Sequence, residues 1–248
     1  MATVTIPARF NGPPDSGNGG YCCGTVAHLL GEPATTELRA PPPLDVPMHV
    51  RETDEGVELF DGPTLVARAR PSAPAPSTPP ATVTRDAAAQ AVEGYWGFVE
   101  HAFPTCFVCG PERARGDGLR IFPGPVAGTG VAAAPWTPAP EFAGNDGSLA
   151  PEFVWSALDC PSWFGFGHWA GQEWPESEVA VAVLASMRIR QDAAVPVGEE
   201  LVVLGWGEAL EGRKIRAGSA IQSADGVVLA VADTLWIQLR DGAFATAG

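Results

Sequence analysis

The sequence predicts an α+β chain built twice on one plan, a curved antiparallel sheet wrapped around a central helix. Three observations carry this. The stretch 71–82, "PSAPAPSTPPAT", divides the chain, because prolines and small residues cannot build a packed element there. On each side of it lies one helix-like segment. On each side there is also a run of strand-like segments with hairpin turns. One helix cannot cover both faces of a sheet, so an antiparallel sheet curved around it is the economical packing. Two such units can pair and bury each other's edges.

The first unit is expected over residues 1–82. Its helix is "GNGGYCCGTVAHLLG" (17–31), where Tyr21, Thr25, His28 and Leu29 recur at three and four and Gly31 suits a left-handed stop. Strands follow at 35–40, 48–54, 56–61 and 64–71, with turn signals at "TDEGV" and "FDGPT". Residues 83–103 form the expected linker helix, read from Ala88, Val92, Tyr95 and Trp96 in "RDAAAQAVEGYWGFVEHAF". The second unit is expected over 104–248. Its strands fall at 118–124, 130–136, 179–191, 200–210, 214–223 and 227–239. Its helix is "PEFVWSALDC" (151–160), with Pro151 in the first turn.

Composition narrows the function classes. Hydrophobic residues at 46% against 18% charged give a globular chain of 248 residues with a sizeable core. A net charge of -14 speaks against a nucleic-acid backbone as partner. No apolar run reaches a membrane span, and "MATVTIPARFNGPP" lacks the pattern of a leader, so a cytoplasmic protein is expected. Five cysteines, an odd number, do not make a disulfide framework and are expected as thiols.

With "CFVCGPERARGDGLRIF" (106–122) opening the second half, the chain resembles the hotdog fold, in its acyl-CoA thioesterase-like branch. The resemblance implies a double hotdog, two curved antiparallel sheets each wrapping a central helix. In many such thioesterases the central helix begins with His-Gly-Gly and carries an Asp nine residues after the His. Asp159 stands where that acid would lie, and counting back nine gives Ala150 within "APE". Asn18-Gly19-Gly20 stands where His-Gly-Gly would lie in the first half, and counting forward nine gives Ala27. The first half keeps the glycines and the second keeps the acid. Since the family's site draws on both units, one composite site per chain is implied.

That chemistry sets the candidate residues. Gly19 and Gly20 at a helix N-terminus could supply oxyanion donors, each worth about 3–4 kcal/mol in measured systems. Asn18 could cap the helix or orient the thioester, and an ordinary capped turn is the competing reading. Asp159 could be general base or nucleophile, or an acid that merely bonds a loop. Asp15 and Ser16 are minor candidates. The aromatic run after Asp159, with Trp163, Phe164, Phe166, Trp169 and Trp174, could line an acyl channel or pack over the sheet. Arg213, Lys214 and Arg216 could meet coenzyme A phosphates or form a solvated edge. His28 reads as a core or surface residue.

Cys106 and Cys109 have the spacing of half a zinc site, but no second pair accompanies them, so no metal is expected. A redox pair would open a helix, and here a glycine-rich turn follows. The segment is expected to be structural. The expected function is a thioesterase-like hydrolase of an acyl-CoA or related thioester, with coenzyme A entering only as part of the substrate. A non-catalytic acyl-CoA binding protein and an acyl-thioester hydratase or dehydratase are the rivals. The partner is a small-molecule acyl thioester, with no nucleic acid or membrane. The resemblance is compatible with a homodimer.

Overall fold

The computed structural model describes residues 2–168 and 181–240. The first part contains β1 (Thr3–Val4), α1 (Gly19–Leu30), β2 (Ala34–Leu38), β3 (Met48–Thr53), β4 (Gly56–Asp61) and β5 (Thr64–Pro71). A short helix, α2 (Arg85–Ala91), follows. The second part contains β6 (Gly124–Val126), β7 (Val131–Trp136), α3 (Pro151–Gly167), β8 (Ala182–Gln191), β9 (Leu201–Glu211), β10 (Lys214–Ser223) and β11 (Val228–Gln238).

Among the described residues these strands form one sheet in the order β1-β3-β4-β5-β2-β8-β11-β10-β9-β7-β6, with antiparallel neighbours throughout. Two separate sheets were expected. The join is a short ladder between β2 and β8, from Thr35 opposite Arg188 to Glu37 opposite Ser186. Pairing there removes two open edges at once. On either side of the join the order repeats. β1-β3-β4-β5-β2 and β7-β9-β10-β11-β8 each place the strand before the helix at one end and the strand after it at the other.

Local chemistry explains the helices. The Asn18 side chain accepts the Tyr21 N–H at 2.9 Å and starts α1. Gly31, at φ 74°, ends it as expected, with its N–H returned to the Ala27 carbonyl. Cys22, Cys23, Val26 and Ala27 are buried along α1. α3 runs to Gly167, well beyond the expected end at 160, and passes through Pro161. Burial favours the longer helix. Ser162 donates to the Asp159 carbonyl at 2.7 Å and accepts from Trp236 Nε1 and Thr234 at 2.9 Å each. Gly165 and Gly205 let α3 meet β9 almost backbone to backbone, since a Cβ on Gly205 would fall 1.8 Å from the Pro161 carbonyl oxygen.

Two more expectations change. The linker helix ends at Ala91, and 3-10 turns at Val92–Gly94 and Trp96–Phe98 carry the chain on. Gly94 and Gly97 fall within those turns, and glycine is a poor helix former. Residues 118–123 are not a strand of the sheet. Leu119 and Ile121 instead donate to the carbonyls of Phe107 and Val108 at 2.8 and 2.9 Å, folding the loop back on itself. Arg120 sits at a left-handed φ of 54°.

The main core lies between the sheet and both helices. A second apolar cluster lies on the other side of β7 and β9, where Val131, Ala133, Val202 and Leu204 meet Val83 and Ala88 of the α2 segment. Alternate residues of β7 thus serve the two layers. The proline-rich segment lies along the sheet. Arg190 Nη1 donates to the Ala75 carbonyl at 2.7 Å, and Ser77 Oγ to Glu208 at 2.9 Å.

Candidate active site

α1 and α3 pack against each other, and two glycines set how closely. A Cβ on Gly20 would lie 2.6 Å from Asp159 Cβ and from the Trp155 carbonyl oxygen. One on Gly24 would lie 2.8 Å from Glu152 Cα. No side chain fits at that crossing. It brings Asp159, in mid-α3, against the N-terminus of α1.

There one carboxylate oxygen is held twice. Asp159 Oδ2 accepts from Asn18 Nδ2 at 2.8 Å and from the Gly20 N–H at 3.0 Å. The other oxygen, Oδ1, is buried with no partner among the described residues. Burial raises the Asp159 pKa from its ordinary value of 3.8 to about 7, the bonds from Gly20 and Asn18 pull it down, and nearby Cys106 pushes it up. The site therefore holds a carboxyl group poised near neutrality beside positive helix-end amides.

Of the first three amides of α1, Gly20 donates to Asp159 and Tyr21 to Asn18, while the Gly19 N–H has no acceptor among the described residues. Asp159 thus occupies the Gly20 amide, and the Gly19 amide is left without an acceptor among the described residues. Asn18, Gly19 and Asp159 all line a cavity of about 610 Å³ whose wall is mostly apolar. Trp163 and Phe164 belong to that wall, as do Asp15 and Ser16.

The other expected residues lie elsewhere. Phe166 is fully buried in the core and does not line the cavity. Trp169 and Trp174 lie outside the described residues. Arg213, Lys214 and Arg216 sit at the β9–β10 turn, off the wall, with Arg213 Nη1 on the Gln238 carbonyl at 3.0 Å and Arg216 4.0 Å from Glu211. His28 is exposed at the far end of α1.

Several wall residues escaped sequence reasoning, namely Arg39, Trp96, His101 and Trp236, while Cys106, Cys109 and Cys160 also line the wall. Trp96 lies in a 3-10 turn where a helix is expected, and His101 lies in the loop that follows it. His101 is kept neutral by burial, its Nδ1 accepting the Phe103 N–H at 2.9 Å. Tertiary packing brings Cys160 of α3 to the CxxC loop, and no sequence spacing signals it.

No protein-family model matches the chain, and no curated protein matches it by sequence. Solved structures do match in shape. A tesB protein of Mycobacterium avium subspecies paratuberculosis aligns at TM-score 0.58 and 12% identity, over 95% of this chain and 91% of that one. A protein described as a thioesterase superfamily protein aligns at TM-score 0.46 and 20% identity, over 60% of this chain and 66% of that one. At 12% identity the tesB likeness establishes the fold alone. The chain shares the fold of that tesB protein over nearly its whole length.

Proposed function

We propose that this chain is a thioesterase-like hydrolase of an acyl-CoA or related acyl thioester, working at a composite site between two hotdog units of one chain. The observation that carries the reading is Asp159 of α3 seated on the N-terminus of α1, in the wall of an apolar cavity. An acyl group suits the cavity, whose volume of about 610 Å³ falls in the range of small-molecule sites. The thioester carbonyl oxygen points to the Gly19 N–H, whose partial positive charge stabilises the oxyanion. Asp159 Oδ1 takes a proton from water as the water oxygen bonds to the carbonyl carbon. The tetrahedral intermediate then collapses, the carbon–sulfur bond breaks, and the proton passes to the departing sulfur.

Arg39 is the arginine of the cavity wall and the first choice for a substrate phosphate. Arg213 lies beside Gln238, between wall residues Ile237 and Leu239. A nucleotide tail leaving on that side would also meet Lys214 and Arg216.

The test is thiol release from short, long and aromatic acyl-CoAs by wild type and Asp159→Asn. Turnover by wild type, reduced at least about 100-fold in a folded Asp159→Asn, is expected, as for loss of a general base. Thermal stabilisation of wild type by acyl-CoA without any turnover would replace the hydrolase with a binding protein. Unchanged turnover in the variant would remove Asp159 from the chemistry.

A further inference from the structure

Three sulfur atoms meet at one point of the cavity wall. Cys106 and Cys109 come from the loop after residue 103, and Cys160 comes from the middle of α3. Their Sγ atoms lie within 4.8 Å of one another, and Cys106 Sγ is 3.8 Å from Cys160 Sγ. All three are buried, unbridged by a disulfide, and face the cavity. Sulfurs at two corners of a tetrahedral zinc site, each ~2.3 Å from the metal, lie ~3.8 Å apart. A disulfide would need about 2.05 Å. The Cys106–Cys160 separation matches one edge of such a tetrahedron, and the other two separations are at most 4.8 Å.

Cysteine binds a metal as the thiolate. Cys106 Sγ lies within hydrogen-bonding reach of Cys160 Sγ. Asn18 Nδ2 approaches the Cys106 sulfur at 4.0 Å. The turn is held in shape. Gly110 donates to the Cys106 carbonyl at 2.9 Å, and a Cβ there would fall 2.5 Å from the Cys106 nitrogen. Tyr95 donates to the Cys109 carbonyl at 2.8 Å.

The fourth corner is not His101. Its Nδ1 accepts a backbone N–H, so in the neutral ring Nε2 carries the proton and has no lone pair for a metal. The fourth corner faces the cavity. Asp159 Oδ1, buried and without a partner among the described residues, lines the same cavity.

We infer that Cys106, Cys109 and Cys160 form a binding site for a zinc-type divalent cation, three thiolates with the fourth position open to the cavity beside Asp159. The cation's charge offsets thiolates that could not otherwise be buried together. It also fastens the 104–110 loop to α3, and loading it releases thiol protons. The sequence offers one CxxC and no partner pair, and the missing ligand is a single cysteine delivered by the helix.

The experiment uses the full chain, stripped with a chelator and kept reduced with a phosphine, then titrated with cobalt(II). One cobalt per chain is expected, with the near-ultraviolet charge-transfer band of cobalt–sulfur bonds and the visible bands of a tetrahedral ion. Cys109→Ser and Cys160→Ser should lose those bands, and Cys22→Ser should keep them. Because a buried variant can misfold, wild type gives a second reading: zinc should protect Cys106, Cys109 and Cys160 from alkylation and leave Cys22 and Cys23 as they are without it, mapped by mass spectrometry. Absence of cobalt–sulfur bands in reduced wild type, or equal labelling of the trio with and without zinc, overturns the site. The thioester reading is tested separately by acyl-CoA turnover and does not fall with it.

Discussion

Asp159 carries opposite demands in one side chain. A general base must be ionised, and the burial that tunes it makes ionisation unfavourable. With a folded pKa of about 7, kcat/KM for thioester cleavage should rise with pH to a plateau above about 7. Asn18 donates to the carboxylate and lowers that pKa, so Asn18→Ala should move the midpoint of the pH–rate profile to higher pH. The same change removes the α1 cap and should lower stability by ~1 kcal/mol, read by urea unfolding. Stability runs the other way from activity. Between about 4 and 7 the folded chain keeps a proton on Asp159 that the unfolded chain releases, so stability falls as pH rises through that window. The full effect is on the order of 4 kcal/mol. Asp159→Asn should flatten that slope in unfolding curves taken from pH 5 to 8. Asp159, Asn18 and Gly19 were all legible as candidates, because a family resemblance pointed to a glycine-rich helix start and an acid. That Asp159 binds Gly20, leaving Gly19 as the free amide, was not legible, since it depends on distances between two helices.

At the scale of elements, the site depends on how closely α1 approaches α3. Gly20→Ala places a methyl carbon 2.6 Å from the Trp155 carbonyl oxygen, and backbone cannot rotate away. The helices must separate, at a cost of roughly 1–3 kcal/mol. Thioester turnover should fall with it, because Asp159 loses its seat. Gly31→Ala is the control. It strains a left-handed residue with open space around it, so it should cost about 1 kcal/mol and leave turnover unchanged. Thermal melts and acyl-CoA assays on the two variants separate the effects. Periodicity placed α1 and the strands β2–β5 and β7–β11 to within a few residues, since alternation and turn chemistry are local. It misplaced what tertiary contacts decide. The aromatic run after Asp159 continues α3 because Ser162, Phe164 and Phe166 are buried. Residues 118–123 leave the sheet because they pair with the 107–108 turn. The α2 segment ends at Ala91, ahead of 3-10 turns that contain Gly94 and Gly97.

For the whole molecule, one sheet takes the place of two. The β2–β8 ladder joins the α1 side of the chain to the α3 side, as the proposed composite site requires. The outermost strands, β1 and β6, are short, a form that discourages further edge pairing. A homodimer, if it forms, should then use a sheet face, and sedimentation at micromolar concentration should show twice the chain mass. A single-chain mass rejects the dimer. The sequence by itself determined the α+β class, the repeated helix-and-strand order and the acidic character, because each follows from local periodicity, turn residues and composition. It also marked the candidate acid and the glycines. Only the tertiary structure decided that the sheet is continuous, that Gly20 is occupied by Asp159, and that Cys160 completes a trio with Cys106 and Cys109. Those facts rest on contacts between residues more than fifty positions apart, and no local pattern in a chain records which distant helix face will arrive there.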